Sequence, residues 1–479
     1  MTKITRHDPL PYEDHFHVPK DDLEKILDVA LSTGGEFAEI FLEYRAYNFV
    51  NMEDDIIKET AETISLGAGM RVLRGEQTGY GYTSDLSFEK MRKAALSAAA
   101  IASLSSRISA ADLRRAWFRH SYYRVKVDPY KAPLEDKIGL VKDAYAACQT
   151  YHPAVKKVKV AVQDHVQYVT IANSEGLLIR DARPLIKLTC VAIVEKGKLR
   201  EFGFSGGGGR VGLEYFKDEF TAEAIGKEAA QEAVGLLDAR DAPAGEMPVV
   251  LSPGHAGVLI HEATGHLLEA DFIRKKTSIF WNKLGKKVGT PQVTIYDDPT
   301  MPSFRGSYNI DDEGMAPRKT LLIEKGVIRG FLQDKLSSGL MGMPPTGHGR
   351  RQDYTDIPIP RMANTYIDRG DCDPEEILKS VDKGFYADKF QGGQVEDSGK
   401  FTFSVSSGFL IENGKLTAPV KQATLIGSNV DILNKIDMVG YDLRFGLQTG
   451  TCSKEGQDIP VIDGCPTIKI SKMTVGGHK

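Results

Sequence analysis

The chain has 479 residues, too many for one simple core, so two or three domains are expected. Its composition, 41% hydrophobic and 26% charged, is that of an ordinary globular protein. A net charge of -4 excludes the overall basic footprint of a nucleic-acid-binding chain, and the opening residues MTKITRHDPLPYEDHF lack the apolar run of a secretory signal.

The longest small-apolar stretch, Ala98–Ala102, is far short of a bilayer span. These features predict a cytoplasmic protein with neither membrane nor nucleic acid as partner. The five cysteines, Cys148, Cys190, Cys372, Cys452 and Cys465, are scattered, odd in number and free of any C-x-x-C pair. They read as reduced thiols rather than as a disulfide framework.

In chain order, Lys20–Gly34 predicts an amphipathic helix ending in a double-glycine stop. Phe37–Tyr44 (FAEIFLEY) alternates like a strand, and Ile57–Arg74 and Gln77–Thr83 are strand-rich with glycine turns. Ser87–Arg107 predicts an alanine-rich helix. Together these form a first α+β domain, 1–125. A second α+β domain, 126–240, opens with a helix over Pro133–Thr150. Val155–Gly203 then alternates as an antiparallel sheet. The run Gly206–Gly209 before Arg210 lacks the Lys-Ser/Thr of a phosphate loop and reads as a turn. Tyr215–Ala239 predicts one long helix. After the short Pro/Gly linker Asp241–Met247 comes an apolar strand, Pro248–Ser252, and a β-rich domain, 241–479, in which Asp373–Val381 is the one further helix expected. The fold class is α+β: a sandwich-like N-terminal region with helices on an antiparallel sheet, then a β-rich C-terminal domain carrying a helix with metal ligands.

That helix holds the strongest chemical signal, His261–Asp271, HEATGHLLEAD. In the common zinc-hydrolase form, H-E-x-x-H, the histidines are four apart and share a helix face. Here His261 and His266 are five apart, about 140° around an ideal helix, which splays the two rings. A π-bulge would bring them together, and Gly265 would accept the unusual backbone angles. The apolar flanks GVLI and LL bury the segment, and a His-Glu pair inside a buried helix needs a purpose. A catalytic zinc takes three protein ligands and keeps one position open. The third has several sources: Glu269, Asp271, His255, His348 and the cysteines. Glu269 also qualifies as a hydrogen-bond partner of His266. Cys452 lies in a glycine-broken loop, Gly446–Gly456, that suits a small exposed thiol.

The chain resembles the TldD/PmbA family of metalloproteases, also called modulators of DNA gyrase. The likeness runs from about Glu36 to Gly477 through several long segments in order: AEIFLEYR, FGFSGGGG, VVLSPGHAGVLIHEATGHLLEAD, YDDPTMPSFRGSYNIDDEG, GHGRRQDYTDIPIPRMANTYI and GTCSKEGQDIPVIDGCPTIKISKMTVGG. The resemblance implies Zn2+ held by His261, His266 and Cys452, with Glu262 as general base. It implies the TldD-type branch, which keeps HExxxH, over the TldE (PmbA) branch, which lacks it. It also implies an unstructured peptide as substrate, and a homodimer or a heterodimer with a TldE/PmbA-like subunit. Cys465 departs from the pattern, where a non-thiol polar residue is expected.

Arg350, Arg351, Arg361 and Tyr441 lie in family-like loops and are candidate donors to a developing oxyanion. The acidic Asp311–Gly314 and the basic Gly349–Arg351 are candidates to line a peptide groove; otherwise they are solvated loop charge. Two rivals stand. A peptidase like dipeptidyl peptidase III needs an acidic second-helix motif, but Glu375-Glu376 continues as EEILKS. A non-catalytic, zinc-containing regulatory or binding protein would have no use for Glu262.

Overall fold

The computed structural model describes residues 10–100, 109–118, 120–396 and 399–477. Its N-terminal half is one seven-stranded sheet. Strands β1 (Phe37–Glu53), β2 (Ile56–Arg74), β3 (Gln77–Thr83), β4 (Arg114–Arg115), β5 (Val155–Asn173) and β6 (Leu177–Lys196) lie in the order β3-β2-β1-β5-β6-β4, and β7 (Leu199–Gly209) pairs with β6. The sheet therefore takes strands from both sides of residue 125. Short turns set its hairpins, two residues each for β1–β2, β2–β3 and β6–β7 and three for β5–β6. Asp54 and Asp55, with φ of 51° and 62°, join β1 to β2 in the left-handed geometry that matches strand twist.

The period-two alternation decides what each face meets. On β1, Ala38, Ile40 and Leu42 pack with α1 (Lys20–Leu31) and α2 (Phe88–Ala99). On β5 and β6, Val158, Val160, Leu188 and Cys190 pack with α3 (Leu134–Gln149) and the helix Ala222–Leu236. The intervening residues Glu39, Phe41 and Arg183 point to the opposite face, against the C-terminal half. The expected helix Ser87–Arg107 runs from Phe88 to Ala99, and its end beyond residue 100 lies outside the described residues.

Two local expectations need correcting. The glycine run Gly206–Gly209 is not a turn. It finishes β7, paired with Ile186–Thr189, and its missing side chains admit neighbours: a Cβ on Gly209 would lie 2.4 Å from the Ser303 carbonyl oxygen. The helix predicted over Tyr215–Ala239 is broken. A short turn, Tyr215–Asp218, ends before Thr221, whose hydroxyl caps Ala222–Leu236 by accepting from the Ala224 amide.

The C-terminal half is strand-rich. Gly245–Leu251, Lys383–Val395, Lys400–Glu412, Lys415–Ser428 and Ile468–Gly476 pair in that order, and the last returns to both Lys415–Ser428 and Gly245–Leu251, closing a five-stranded barrel. Closure leaves an unpaired edge only where neighbours diverge, as Lys383–Val395 does from Gly245–Leu251 after Ala387. A second sheet, including Ile295–Asp297, Asn364–Ile367 and Ile462–Cys465, stacks nearby. The histidine-bearing helix follows the barrel strand Gly245–Leu251 and runs between barrel and second sheet. Gly257 lets it approach: a Cβ there would meet the Gly464 backbone at 2.6 Å. No helix among the described residues is long and apolar enough to cross a membrane.

The charged loops bind the two halves together. Arg71, 1% exposed, reaches Glu39 at 2.9 Å and Glu313 at 2.6 Å. Arg351 pairs with Glu39, and Arg183 pairs with Asp312 and, at 3.2 Å, with Asp181. The acidic 311–314 and basic 349–351 segments are thus neither solvated loops nor the walls of an open groove. They are buried, and most of their charge is matched across the seam.

Candidate metal centre

The segment after the barrel strand starts as an α-turn, Gly257–Ile260, widens to a π-turn over His261–Gly265, and tightens to a 3-10 turn over His266–Leu268. The His266 amide donates to the His261 carbonyl, the i to i+5 bond that defines the widening. This places the rings 5.1 Å apart and nearly perpendicular, at 87°. Gly265 contributes differently from what its sequence suggests. Its backbone is helical, with φ of -55°; the missing side chain matters because a Cβ would lie 2.0 Å from the Met362 sulfur.

Each imidazole is oriented by a carboxylate. The Nδ1 of His261 bonds Asp463 Oδ1 at 2.6 Å, and the Nδ1 of His266 bonds Glu269 Oε2 at 2.9 Å. Both Nε2 atoms are thereby left for another partner. That partner is Cys452, with Sγ 3.3 Å from His266 Nε2. One donor atom from each of His261, His266 and Cys452 lies within 4.8 Å of the other two. Cys452 is not on an exposed loop. It sits buried, 5% exposed, on Thr451–Lys454, which pairs with Gln457–Pro460. Two contacts fix that hairpin: Arg361 Nη2 donates to the Cys452 carbonyl at 2.7 Å, and Lys454 Nζ reaches Glu269 at 3.0 Å and Asp271 at 2.8 Å.

The electrostatics favour a thiolate. Burial alone would raise the Cys452 pKa, but His266 and His261 hold it well below the usual thiol range. Burial alone would lower both histidines. Asp463 and Cys452 overcome it at His261, which sits well above its ordinary value, and Glu269 and Cys452 raise His266 to about 10. Burial would raise Glu269, yet Lys454 and His266 bring it down to about 2. A thiolate between two imidazoles whose outer nitrogens are held by carboxylates is a donor set that suits a divalent cation of the zinc type, which displaces the shared protons on binding.

Glu262 is one residue on from His261, with its carboxylate 3.8 Å from His266 Nε2 and 26% exposed. Burial raises its pKa. It borders two depressions, of about 200 and 210 Å³. One is walled by His266, Phe272, Ser278 and Lys454, the other by His255, His261, Phe390 and Gly450. A cleft therefore passes the carboxylate on both sides.

The other candidates are placed elsewhere. His348 has both ring nitrogens spent, Nε2 on Asp297 at 2.9 Å and Nδ1 on Thr346. Asp271 is paired with Lys454. Cys465 is buried, with its thiol against the Ser252 carbonyl at 3.4 Å. None of Arg350, Arg351, Arg361 and Tyr441 borders either depression; the three arginines are buried and bonded to carbonyls or carboxylates, and Tyr441 is 55% exposed. His255 borders the cleft instead. Its Nδ1 accepts from the Phe390 amide at 3.1 Å, so the neutral ring carries its proton on Nε2, and burial lowers its pKa to about 4. Sequence reasoning missed Asp463 and Lys454. Asp463 stands 202 residues from His261, and no spacing rule links them. Lys454 follows Cys452 closely, but its partners are set by the hairpin.

Comparison with known proteins gives a consistent picture. Models of the PmbA/TldA metallopeptidase match its domain 1 at residues 38–102, its central domain at 127–237 and its C-terminal domain at 244–477. The chain is 39% identical over 465 residues to a metalloprotease TldD homolog of Haemophilus influenzae, covering 95% of this chain and 96% of that one. It is 30% identical over 345 residues to a zinc metalloprotease TldD homolog of Saccharolobus solfataricus, covering 72% and 76%. Among solved structures, TldE from Thermococcus kodakarensis superposes with a TM-score of 0.74 at 20% identity, over 95% of this chain and all of that one. A Thermotoga maritima protein described as a candidate modulator of a DNA gyrase gives 0.78 at 23%, over 95% and 100%. At these identities the structural likeness speaks to the fold.

Proposed function

The chain belongs to the PmbA/TldD family of metallopeptidases, and on that premise we propose that it is a zinc-dependent peptidase of the HExxxH type acting on unstructured peptides. His261, His266 and Cys452 would hold the metal, and Glu262 is the general base. The observation that carries this reading is the convergence of two imidazole Nε2 atoms and one thiol within 4.8 Å, with Glu262 beside them at the cleft.

When bound, zinc would supply Lewis acidity and a water acidified to near neutrality. The protein's own groups do the rest. Glu262, raised by burial toward the working pH, takes the proton from the attacking water and delivers it to the leaving amine. Asp463 and Glu269 fix the tautomers and angles of the two histidines. The Nε2–H of His255 is the cleft's donor to the carbonyl oxygen under attack, a role that Arg350, Arg351, Arg361 and Tyr441, which do not border the cleft, cannot fill.

Peptide binding follows from one strand edge. Gly245–Leu251 pairs with Lys383–Val395 only through Phe385–Ala387. Beyond that point the strand runs past the cleft, bordering one depression with Phe390, Gln391 and Gly392 and the other with Val395. An extended peptide added to this edge is held by its backbone, so side-chain preference is weak and folded substrates are excluded. The working unit is a homodimer or a heterodimer with a TldE/PmbA-like subunit, to be settled by the mass of the purified assembly.

The test has two parts. Elemental analysis should find about one zinc per chain and its loss in Cys452→Ala. Glu262→Gln should keep the metal and lose cleavage of an unstructured peptide. Retained cleavage in Glu262→Gln, or a full zinc complement in Cys452→Ala, would contradict the respective assignment. Equal biological activity of Glu262→Gln and wild type would favour a non-catalytic, regulatory role.

A further inference from the structure

The seam between the N-terminal sheet and the C-terminal half encloses a small cavity with an excess of positive charge. It holds about 50 Å³ of water-accessible space, room for a few waters or one small polyatomic ion. Several lining cations are matched: Arg45 with Glu43, Arg183 with Asp181 and Asp312, Arg351 with Glu39. Arg210 and Arg350 also line it and are not. Arg210 donates to the carbonyls of Ser307 and Pro184, both at 3.0 Å, and Arg350 to those of Met362 and Pro460 at 2.6 and 3.0 Å. Arg305, 5% exposed, feels the repulsion of both. Its Nε holds the Gly450 carbonyl at 2.7 Å, while its buried Nη1 has no hydrogen-bond partner among the described residues. Lys187, half-buried on β6, feels the repulsion of Arg305 in turn; neither of these two lines the cavity, but both add to the positive charge around it. No described carboxylate lies within ion-pair distance of any of the four.

Carbonyl oxygens satisfy individual N–H groups but bring no net charge. The lining carboxylates are already used: Asp312 by Arg183 and the Arg351 amide, Asp311 by the amides of Glu313, Met315 and Gly349, and Asp458 by the Ser453 hydroxyl. Uncompensated buried cations are costly. Burial and mutual repulsion bring Arg305 down to about 9, Arg210 to about 10 and Lys187 to about 8.

We propose that this seam cavity is a binding site for a small tetrahedral oxyanion of the phosphate or sulfate type, held by Arg210 and Arg350, which line it, with Arg305 and Lys187 adding positive charge from beyond the lining. A carboxylate would neutralise one charge of four; a dianion neutralises two and offers several oxygens to guanidinium forks. The site also has a structural consequence. Gly450 and Pro460, the residues gripped by Arg305 and Arg350, flank the hairpin that carries Cys452. The bound anion braces that hairpin from behind.

The experiment uses full-length protein dialysed into an oxyanion-free buffer. Inorganic phosphate, sulfate and acetate are each titrated by calorimetry and in thermal melts, against chloride at matched ionic strength. Phosphate and sulfate should bind saturably near one per chain and raise the melting temperature by at least about 2 °C, with acetate no better than chloride. Arg210→Gln and Arg350→Gln should each weaken phosphate binding by about 10-fold. Lys187→Gln, which leaves the strand's backbone ladder intact and removes a charge beside the cavity, should weaken it less, and it remains informative if an arginine variant fails to fold. A phosphate effect equal to that of acetate or chloride overturns the proposal. So does phosphate affinity unchanged in every variant that folds, which would put the ion elsewhere.

Discussion

The candidate metal cleft and the seam under the N-terminal sheet are both buried clusters of ionisable groups, and they are built on opposite plans. In most of the seam each charge meets its opposite: Arg71 lies between Glu39 and Glu313, and Arg183 between Asp181 and Asp312. His348, with Asp297 on one nitrogen and Thr346 on the other, is the same plan applied to an imidazole. In the cleft, His261 and His266 also have a carboxylate each, but on Nδ1 only, and both Nε2 atoms turn toward one thiol. Burial and shifted pKa values occur in both regions. What separates them is geometry: the seam's groups mostly pair as opposite charges across it, whereas the cleft's two imidazoles and one thiol converge on one another.

The largest effects should fall on opposite properties in the two regions. Glu262→Gln should lower kcat for an unstructured peptide by about 10²- to 10⁴-fold while leaving the denaturation midpoint unchanged. A small kinetic effect would mean the cleft's base lies elsewhere. Arg71→Met should do the reverse. It leaves Glu313 and one side of Glu39 buried without a cationic partner, at a cost of about 3–5 kcal/mol in denaturant unfolding. Cleavage per folded molecule should not change. If Arg71→Met altered kcat without altering stability, the division between structural seam and chemical cleft would fail.

A subtler contrast comes from two aspartates that each bond a buried histidine. Asp463→Asn should weaken zinc binding about 10- to 100-fold, measured by competition with a chelator, and cleavage should recover at saturating zinc. Asp297→Asn changes an equivalent bond, to His348, but should lower stability alone. Equal zinc affinities in the two variants would remove the special status given to His261.

Much of this was legible in the sequence, and the failures have a common cause. Alternation identified β1, β5 and β6 because each buries one face on helices and the other on the C-terminal half. HEATGH announced its need for a π-turn because five-residue spacing cannot serve one ion on an ideal helix. Glu269 was found because it lies on the same segment as His266. The missed features depend on long-range neighbours. Gly206–Gly209 reads as a turn locally, yet it is a strand made bare so that the Ser303 region can approach. Segments 311–314 and 349–351 read as loop charge, but their partners Arg71, Glu39 and Arg183 lie more than a hundred residues away. Asp463 carries no local signal because the histidine it reaches lies 202 residues away.

His165 offers the smallest effect and the one that joins the two plans. It borders the cationic seam cavity with its ring stacked near Tyr47, at 6.3 Å between centroids. Burial, then repulsion from Arg45, Arg210, Arg305 and Lys187, holds its pKa well below the ordinary imidazole value. The sign follows from linkage. The folded state disfavours the proton that the unfolded chain accepts near pH 6.5, so the stabilisation is fully present above that pH and is lost as pH falls below it toward the depressed folded value. One such group contributes a slope of up to about 1.4 kcal/mol per pH unit in that window. His165→Asn should flatten the acid side of the stability profile by about that amount. If the cavity takes a dianion, phosphate should also reduce the wild-type slope, because a bound negative charge offsets the repulsion that keeps His165 neutral. Identical acid profiles for wild type and His165→Asn would show that the seam's excess charge is relieved before it reaches this ring.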